Sequence, residues 1–371
     1  MVSLKKIILL FLGDFFYDAR CINMAFSILK SKEYHLTVLS ESKERHKNPL
    51  FKNITFYKIK NLSGSPLKYW EYHKQIKSLL NNKKYDIIVA GDLFSLSGAC
   101  TQKTKIIFDS REIYSELEAH INKPLHGMFW SIYEKHYLKR VHTIITTAKT
   151  DMNYLKHKYA QYKQLKFYNI FNFPSNKNNQ CDLQLKKLFP IQKNHIIILY
   201  QGVLQKGRGL NLLIDLINIT KDLSAIIIGD GKERGKYIKK INQYKINNRV
   251  FLINRVPYLE LLQYTSLGHI GWLIIKNRST SNLFALPNKL FEYTLMGLPV
   301  ISSNLPNINP IIKKYNLGKT LKKSLSTTNI LESIKEIKNN FQEYQKINQI
   351  IQKKFTWETQ HVNFLRLLKD E

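Results

Sequence analysis

Short apolar runs, each closed by Gly, Asp or Thr and separated by segments of helical period, recur along the chain. In the first half "KKIILLFL", "HLTVLS", "YDIIVAG", "KIIFDS" and "HTIITT" read as strands, with helical patterns in "DARCINMAFSILKSK" and "GMFWSIYEKHYLKR". Repeated βα units of this kind build a parallel sheet. A polar, Asn-rich passage over 172–195 then reads as a connection. Beyond it the alternation restarts with "IIILYQG", "AIIIGDG", "RVFLIN", "IGWLII" and "LPVISS". The expectation is an α/β chain of two doubly wound, Rossmann-like domains, over residues 1–172 and 195–354, joined by a linker over 173–194. Ligands bind beyond the carboxyl ends of such strands, so two facing domains would hold a cleft between those ends.

Composition agrees with two cores. The 371 residues are 44% apolar and 12% aromatic, which argues against disorder. Three cysteines, Cys21, Cys100 and Cys181, are far apart and form neither a disulfide framework nor a zinc pattern, which suits a reducing compartment. The opening "MVSLKKIILLFLGDFF" imitates a secretory signal. Its apolar run is short, however, and Gly13-Asp14 ends it without a small-x-small cleavage pattern, so Lys6–Leu12 reads as a buried parallel strand. No apolar run is long enough to span a bilayer. The formal net charge of +31 has two readings: a Lys-, Asn- and Ile-rich composition, or attraction to an anionic membrane, nucleotide or nucleic acid.

The densest chemistry lies in "LPNKLFEYTLMGLPVISSNLP", Leu286 to Pro306. Pro287 biases Leu286 away from helix, and Asn288 suits an N-cap. A helix is expected from Lys289 to Met296, stopped by Gly297 and Pro299. Glu292 then leans back over Asn288, one turn from a helix N-terminus that favours phosphate. Its carboxylate can accept two hydrogen bonds from the vicinal hydroxyls of a ribose. The other reading is a dipole-stabilised Glu paired with a nearby Lys.

Three further turns follow strands. "YQGVLQKGRGLNLL" carries Gly202, Lys206, Gly207, Arg208 and Gly209; it departs from the NTPase phosphate loop because Arg208 and Gly209 replace Lys and Ser/Thr. It suits a diphosphate bound without metal, or it is an ordinary βα turn with solvated cations. Gly229, Asp230 and Gly231 allow either a ligand or a tight turn. Asp109, Arg111 and Glu112 close another strand, as substrate contacts or as an ion-pair cluster. Asp-x-Asp, Gly-x-Ser-x-Gly and His-Glu-x-x-His are absent, and the histidines show no ligand spacing, so no residue is assigned to a metal.

In this order, "IIFDSREIYSE", "LYQGVLQKGRGLNLLIDL", "IIIGDG" and "LPNKLFEYTLMGLPVISS" resemble the retaining glycosyltransferases of family 4, which have the GT-B fold. "KFTWETQHVNFLRLL" resembles the family's closing helix, which implies that 355–371 crosses back to the N-terminal domain. The resemblance implies a nucleotide-diphosphate sugar donor held by the C-terminal domain, an acceptor on the N-terminal side, and no metal or other cofactor. Arg208 matches the second of the family's two diphosphate-binding cations. Val203 stands at the first, with Lys206 as the candidate substitute. Of two family glutamates separated by seven residues, Glu292 matches the second, which binds ribose. Phe284 stands at the first, with backbone around Leu286–Asn288 as the substitute. Gly13 would mark the N-domain loop approaching the donor, joined on the donor side by Gly202, Gly229, Asn288 and Lys289. Asp109 would orient the acceptor, with Arg111 and Glu112 beside it.

"SPLKYWEYHKQIKSLLNNKK" (65–84) mixes Tyr69, Trp70 and Tyr72 with lysines. It reads either as an anionic-membrane contact or as a surface helix whose aromatics face the core. The implied acceptor is a glycan or a lipid-linked glycan. The implied location is the cytoplasm, at the inner face of the plasma membrane where that contact is made. The alternatives are a nucleotide-sugar epimerase on the same fold and a basic nucleic-acid-binding protein. Dispersed lysines and the absence of a recognition motif argue against the latter.

Overall fold

The computed structural model describes residues 4–41, 49–60, 62–64, 66–176, 183–321 and 326–369. Cys181 and Ser65 lie outside them. The described chain divides into two compact units. The first holds the residues up to Asn172 with Ser279–Ser281 and those from Gln360 onward. The second holds Phe173–Arg278 and Asn282–Thr359. Residues from Phe173, read as a connection, therefore cluster with the second unit, and Leu183–Lys187 form a short helix there.

Among the described residues the first unit carries seven parallel strands: β1 (Lys5–Leu10), β2 (Tyr34–Ser40), β3 (Ile54–Lys58), β4 (Ile87–Ala90), β5 (Lys105–Ser110), β6 (Thr143–Thr146) and β7 (Lys166–Asn169), in the order β3-β2-β1-β4-β5-β6-β7. The apolar run at the N-terminus is thus a central strand, and Ile7 to Leu10 are buried because helices cover both faces. Each such side chain contributes roughly 1.5–3 kcal/mol. The strand stops before the expected Leu12 because the Leu12 N–H turns to Asp92 Oδ2 at 2.6 Å instead of a ladder partner.

The second unit repeats the plan with β8 (Ile196–Gln201), β9 (Leu223–Ile228), β10 (Val250–Ile253), β11 (Ile270–Leu273), β12 (Val300–Ser303) and β13 (Gly318–Leu321), ordered β10-β9-β8-β11-β12-β13. The order reverses between β1 and β4 and again between β8 and β11, where the loops beyond the strand ends part and leave room for a ligand. The helix Leu210–Ile219 covers β8 with Leu210, Leu213, Ile214 and Ile217, one apolar stripe at helical spacing.

The closing helix, Glu358–Lys369, clusters with the first unit from Gln360 onward. Phe364, Leu367 and Leu368 are buried, and His361 Nδ1 lies 2.9 Å from Ser27 Oγ. Lys105 Nζ donates to the carbonyls of Leu367 (3.2 Å) and Leu368 (3.1 Å), meeting acceptors that a helix end leaves unpaired.

Candidate active site

The helix Asn288–Leu295 begins one residue earlier than the sequence suggests. Pro287, extended at φ −74° and ψ 141°, occupies the capping position, and Asn288 is the first helical residue. Proline suits this place because its fixed φ is compatible with the turn and its missing N–H needs no partner. Met296 closes the helix and Gly297 leaves it at φ +79°. Leu290 to Leu295 are all buried, so Glu292 lies in an apolar setting at 4% exposure.

One hydrogen-bonded chain holds that carboxylate. Gln201, the last residue of β8, donates Nε2 to Glu292 Oε2, and its Oε1 accepts from the Thr265 hydroxyl at 2.8 Å. Next to Glu292, the Tyr293 hydroxyl accepts the Gln201 N–H and donates to the Leu199 carbonyl, both at 3.2 Å. Gly271 in β11 makes room for that ring: a Cβ there would lie 2.3 Å from it. Burial pushes the Glu292 carboxyl up to about 7, opposed by the Gln201 hydrogen bond and the charge of Lys289.

Lys289 brings a cation to the same place. Its Nζ sits 4.0 Å from the centroid of the Tyr200 ring. A side chain on Gly202 would put a Cβ 3.3 Å from that ammonium, and Gly202 has φ +127°, so the glycine both makes the turn and makes the space. Burial brings Lys289 down to about 7; Arg208 adds to the effect and Glu292 opposes it. Arg208 also lowers the Tyr200 phenol, against a larger upward push from burial. The Arg208 guanidinium lies beside Gln205, whose amide oxygen, with the amide assigned in the orientation that satisfies both groups, accepts from Nε at 3.2 Å and Nη2 at 2.7 Å. Trp272 Nε1 donates to the Arg208 carbonyl at 3.3 Å, fastening the loop to β11. Gly202, Arg208, Lys289 and Glu292 therefore converge at the switch point of the second sheet, with Asn288 at the helix start.

Lys206 does not join them. It is exposed and lines a different hollow of about 550 Å³ with Leu210, Asn211, Lys236, Lys276 and Arg278. Gly229 serves the neighbouring loop and not an open space for a ligand: at φ +152°, a Cβ there would lie 2.0 Å from the Gly202 carbonyl oxygen. The Leu204 N–H bonds the Asp230 carbonyl at 2.8 Å in the same contact.

In the first unit the structure corrects the reading of Asp109. Its side chain is fully buried between two arginines: Arg20 Nε lies 2.8 Å from both of its oxygens, and Arg111 Nε bonds Oδ2 at 2.9 Å. Arg111 continues to Asp18 Oδ2 at 2.6 Å and Cys21 Sγ at 3.1 Å, with Phe11 beneath its guanidinium at 4.8 Å. Asp109 is the centre of an ion-pair cluster and offers no open oxygen to an acceptor. Gly13 stands by the same cluster, its Cα facing Phe11 so closely that a Cβ would fall 2.5 Å from the ring. Glu112 is exposed beside it. Arg20 was the residue missed, although a lone arginine at the head of the apolar run "CINMAF" hinted at a buried partner. Among the described residues no group of three or more His, Cys, Asp or Glu side chains is placed to hold a metal.

For the aromatic–lysine segment the structure favours the reading of a surface helix whose aromatics face the core. Its helix, Leu67–Asn82, turns Tyr72 into the core, where the hydroxyl meets Ser95 Oγ at 3.1 Å. Tyr69 stacks on Phe94 at 4.5 Å, and of the three aromatics only Trp70 faces outward.

Residues 184–354 match the model of the glycosyl transferases group 1, and residues 6–103 match that of the glycosyl transferase 4-like family. The O-antigen biosynthesis glycosyltransferase WclY of Escherichia coli is 26% identical over 179 residues, 48% of this chain and 47% of that protein. The chain spans about half the length of the curated relatives it matches. Among solved structures, Anabaena HepE in complex with UDP-glucose aligns with a TM-score of 0.74 at 14% identity, over 98% of this chain and 99% of that one. The sucrose-phosphate synthase of Thermosynechococcus elongatus aligns with a TM-score of 0.74 at 12% identity, over 98% of each chain. These likenesses are of fold: two Rossmann-like α/β domains of the GT-B kind.

Proposed function

We propose that this chain, which belongs to the glycosyl transferases group 1 family, transfers a sugar from a nucleotide-diphosphate donor to a hydroxyl of a glycan or lipid-linked acceptor in cell-surface polysaccharide synthesis. The observation that carries the reading is the convergence of Glu292, Lys289 and Arg208 around the Gly202 turn. Glu292, held by Gln201, accepts the two ribose hydroxyls. Arg208 and Lys289 face the diphosphate. Lys289 thus supplies the cation that Val203 does not, and two fixed cations neutralise the leaving group without a metal. The helix that starts at Asn288 turns its N–H groups toward the same charge.

The reaction we assign retains anomeric configuration. The acceptor oxygen bonds to the anomeric carbon on the face from which the diphosphate departs. The C–O bond to the leaving phosphate breaks, and that phosphate oxygen takes the acceptor's proton. No protein base is needed; positioning and charge stabilisation are the protein's share. HepE was solved with UDP-glucose, which favours uridine nucleotides as the first donors to try.

A panel of nucleotide sugars is screened by thermal melting, since a ligand that binds only the folded state raises the midpoint. At least one is expected to stabilise the protein. Glu292→Ala and Arg208→Ala are expected to lose that stabilisation and to lower turnover by about two orders of magnitude or more. Near-normal turnover in both variants would overturn the assignment.

A further inference from the structure

We propose that the hollow beside Lys206 is a second anion site, for a phosphorylated sugar, separate from the turn assigned to the donor. It lies wholly within the second unit. Its wall starts in the loop after β8 and continues through the first turn of the helix Leu210–Ile219. Lys236 and Tyr237 of the helix Arg234–Gln243 form one side, and the segment after β11 forms the other. That segment is fastened in place, because the Lys276 N–H donates to the Gly207 carbonyl at 2.8 Å. The space of about 550 Å³ is that of a small-molecule site and is more than a bare phosphate fills. Gly202, Arg208, Lys289 and Glu292, which make up the donor turn, are not part of this wall.

Charge selects the ligand. Lys206, Lys236, Lys276 and Arg278 bring four exposed cations to this one hollow, from three separate segments of the chain. Asp215 is the one acid in the wall, and it is already engaged. Its Oδ1 lies 2.6 Å from Lys240 Nζ and accepts from the Tyr244 hydroxyl at 2.8 Å. Lys236 has Glu233 no nearer than 3.7 Å. Four like charges facing one space repel one another. A phosphate dianion relieves that repulsion and accepts charge-assisted hydrogen bonds from several of them at once. The rest of the wall suits the body of a sugar: Leu210 and Leu212 offer apolar surface, and Asn211 and Asp215 offer polar groups for hydroxyls. The inference goes beyond the proposed reaction and does not rest on it.

The test is calorimetric titration of the full chain with glucose 6-phosphate, without nucleotide sugar. The wild type is expected to bind it, and Lys236→Glu with Lys276→Glu to weaken binding about tenfold or more. Lys135→Glu with Lys139→Glu makes the same charge change on the first unit and is expected to weaken it by no more than about threefold. Arg208→Ala is expected to have as small an effect, and inorganic phosphate to bind about tenfold or more weakly than the sugar phosphate. Absence of binding to the wild type overturns the proposal. So does an equal loss in the two lysine pairs, because the net charge of the whole chain would then be the cause. Binding abolished by Arg208→Ala alone, or inorganic phosphate held as tightly as glucose 6-phosphate, overturns it too. Melting the Lys236→Glu, Lys276→Glu variant with the stabilising nucleotide sugar is expected to show that stabilisation intact, which establishes that the variant folds and that the two sites are separate. Joint loss of both ligands contradicts the separation.

Discussion

Glu292 shows how one residue's chemistry depends on distant neighbours. Its sequence surroundings reveal a carboxylate near a helix start, but not Gln201, which lies 91 residues away and holds it. Its folded pKa of about 7 exceeds the ordinary 4.5, so the folded protein grips this proton more tightly than the unfolded chain does. The resulting stability is complete below the unfolded value and is lost as pH rises through about 7. Glu292→Gln keeps the shape and removes the titration. Its stability relative to wild type is expected to improve steadily across that window, as read by urea denaturation at a series of pH values. A difference that stays flat with pH would show that this carboxyl titrates normally. Asp109 teaches the same lesson from the other side. A charged residue at a strand end looked like a substrate contact until Arg20, 89 residues earlier, proved to be its partner.

Elements depend on one another through backbone contacts that local pattern cannot reveal. The glycines after β8 and β9 were legible as turns, yet Gly229 is glycine because the Gly202 carbonyl occupies the space of its side chain. Gly229→Ala is expected to cost more than about 1 kcal/mol, because alanine resists a positive φ and meets backbone that cannot move aside cheaply. The same substitution should weaken nucleotide-sugar binding by displacing the Gly202 turn. Melting with and without ligand measures both, and an unchanged midpoint would contradict the contact. The helix Pro124–Leu138 carries large apolar residues on its exposed side as well as its buried one, so periodicity alone could not say which face was outward. In the aromatic–lysine segment 65–84, which read equally as a membrane contact or as a surface helix with aromatics facing the core, it was the structure that turned Tyr69 and Tyr72 inward.

At the scale of the molecule, each unit has its own sheet and core, and the helix Glu358–Lys369 completes the first from Gln360 onward. Phe364, Leu367 and Leu368 are buried there, and Lys105 of β5 bonds the end of their helix. Phe364→Ala is expected to cost about 3–5 kcal/mol. The loss should fall on the first unit, so hydrogen exchange should accelerate in β1 and β5 and leave β8 and β11 protected. Uniform acceleration in both sheets would show instead that the units unfold as one.

By itself the sequence determined the two parallel sheets, because burial on both faces demands near-continuous apolar strands and glycine-bearing turns, and both are local signals. It also placed Arg208, Lys289 and Glu292 on the turns and helix that bring them together. Only the tertiary structure decided that Asp109 is paired with Arg20 and Arg111, that Lys206 faces another hollow, that Gln201 holds Glu292 and that Tyr69 and Tyr72 turn inward. Each of these depends on which distant residue fills the space beside a side chain, and local periodicity carries no record of that.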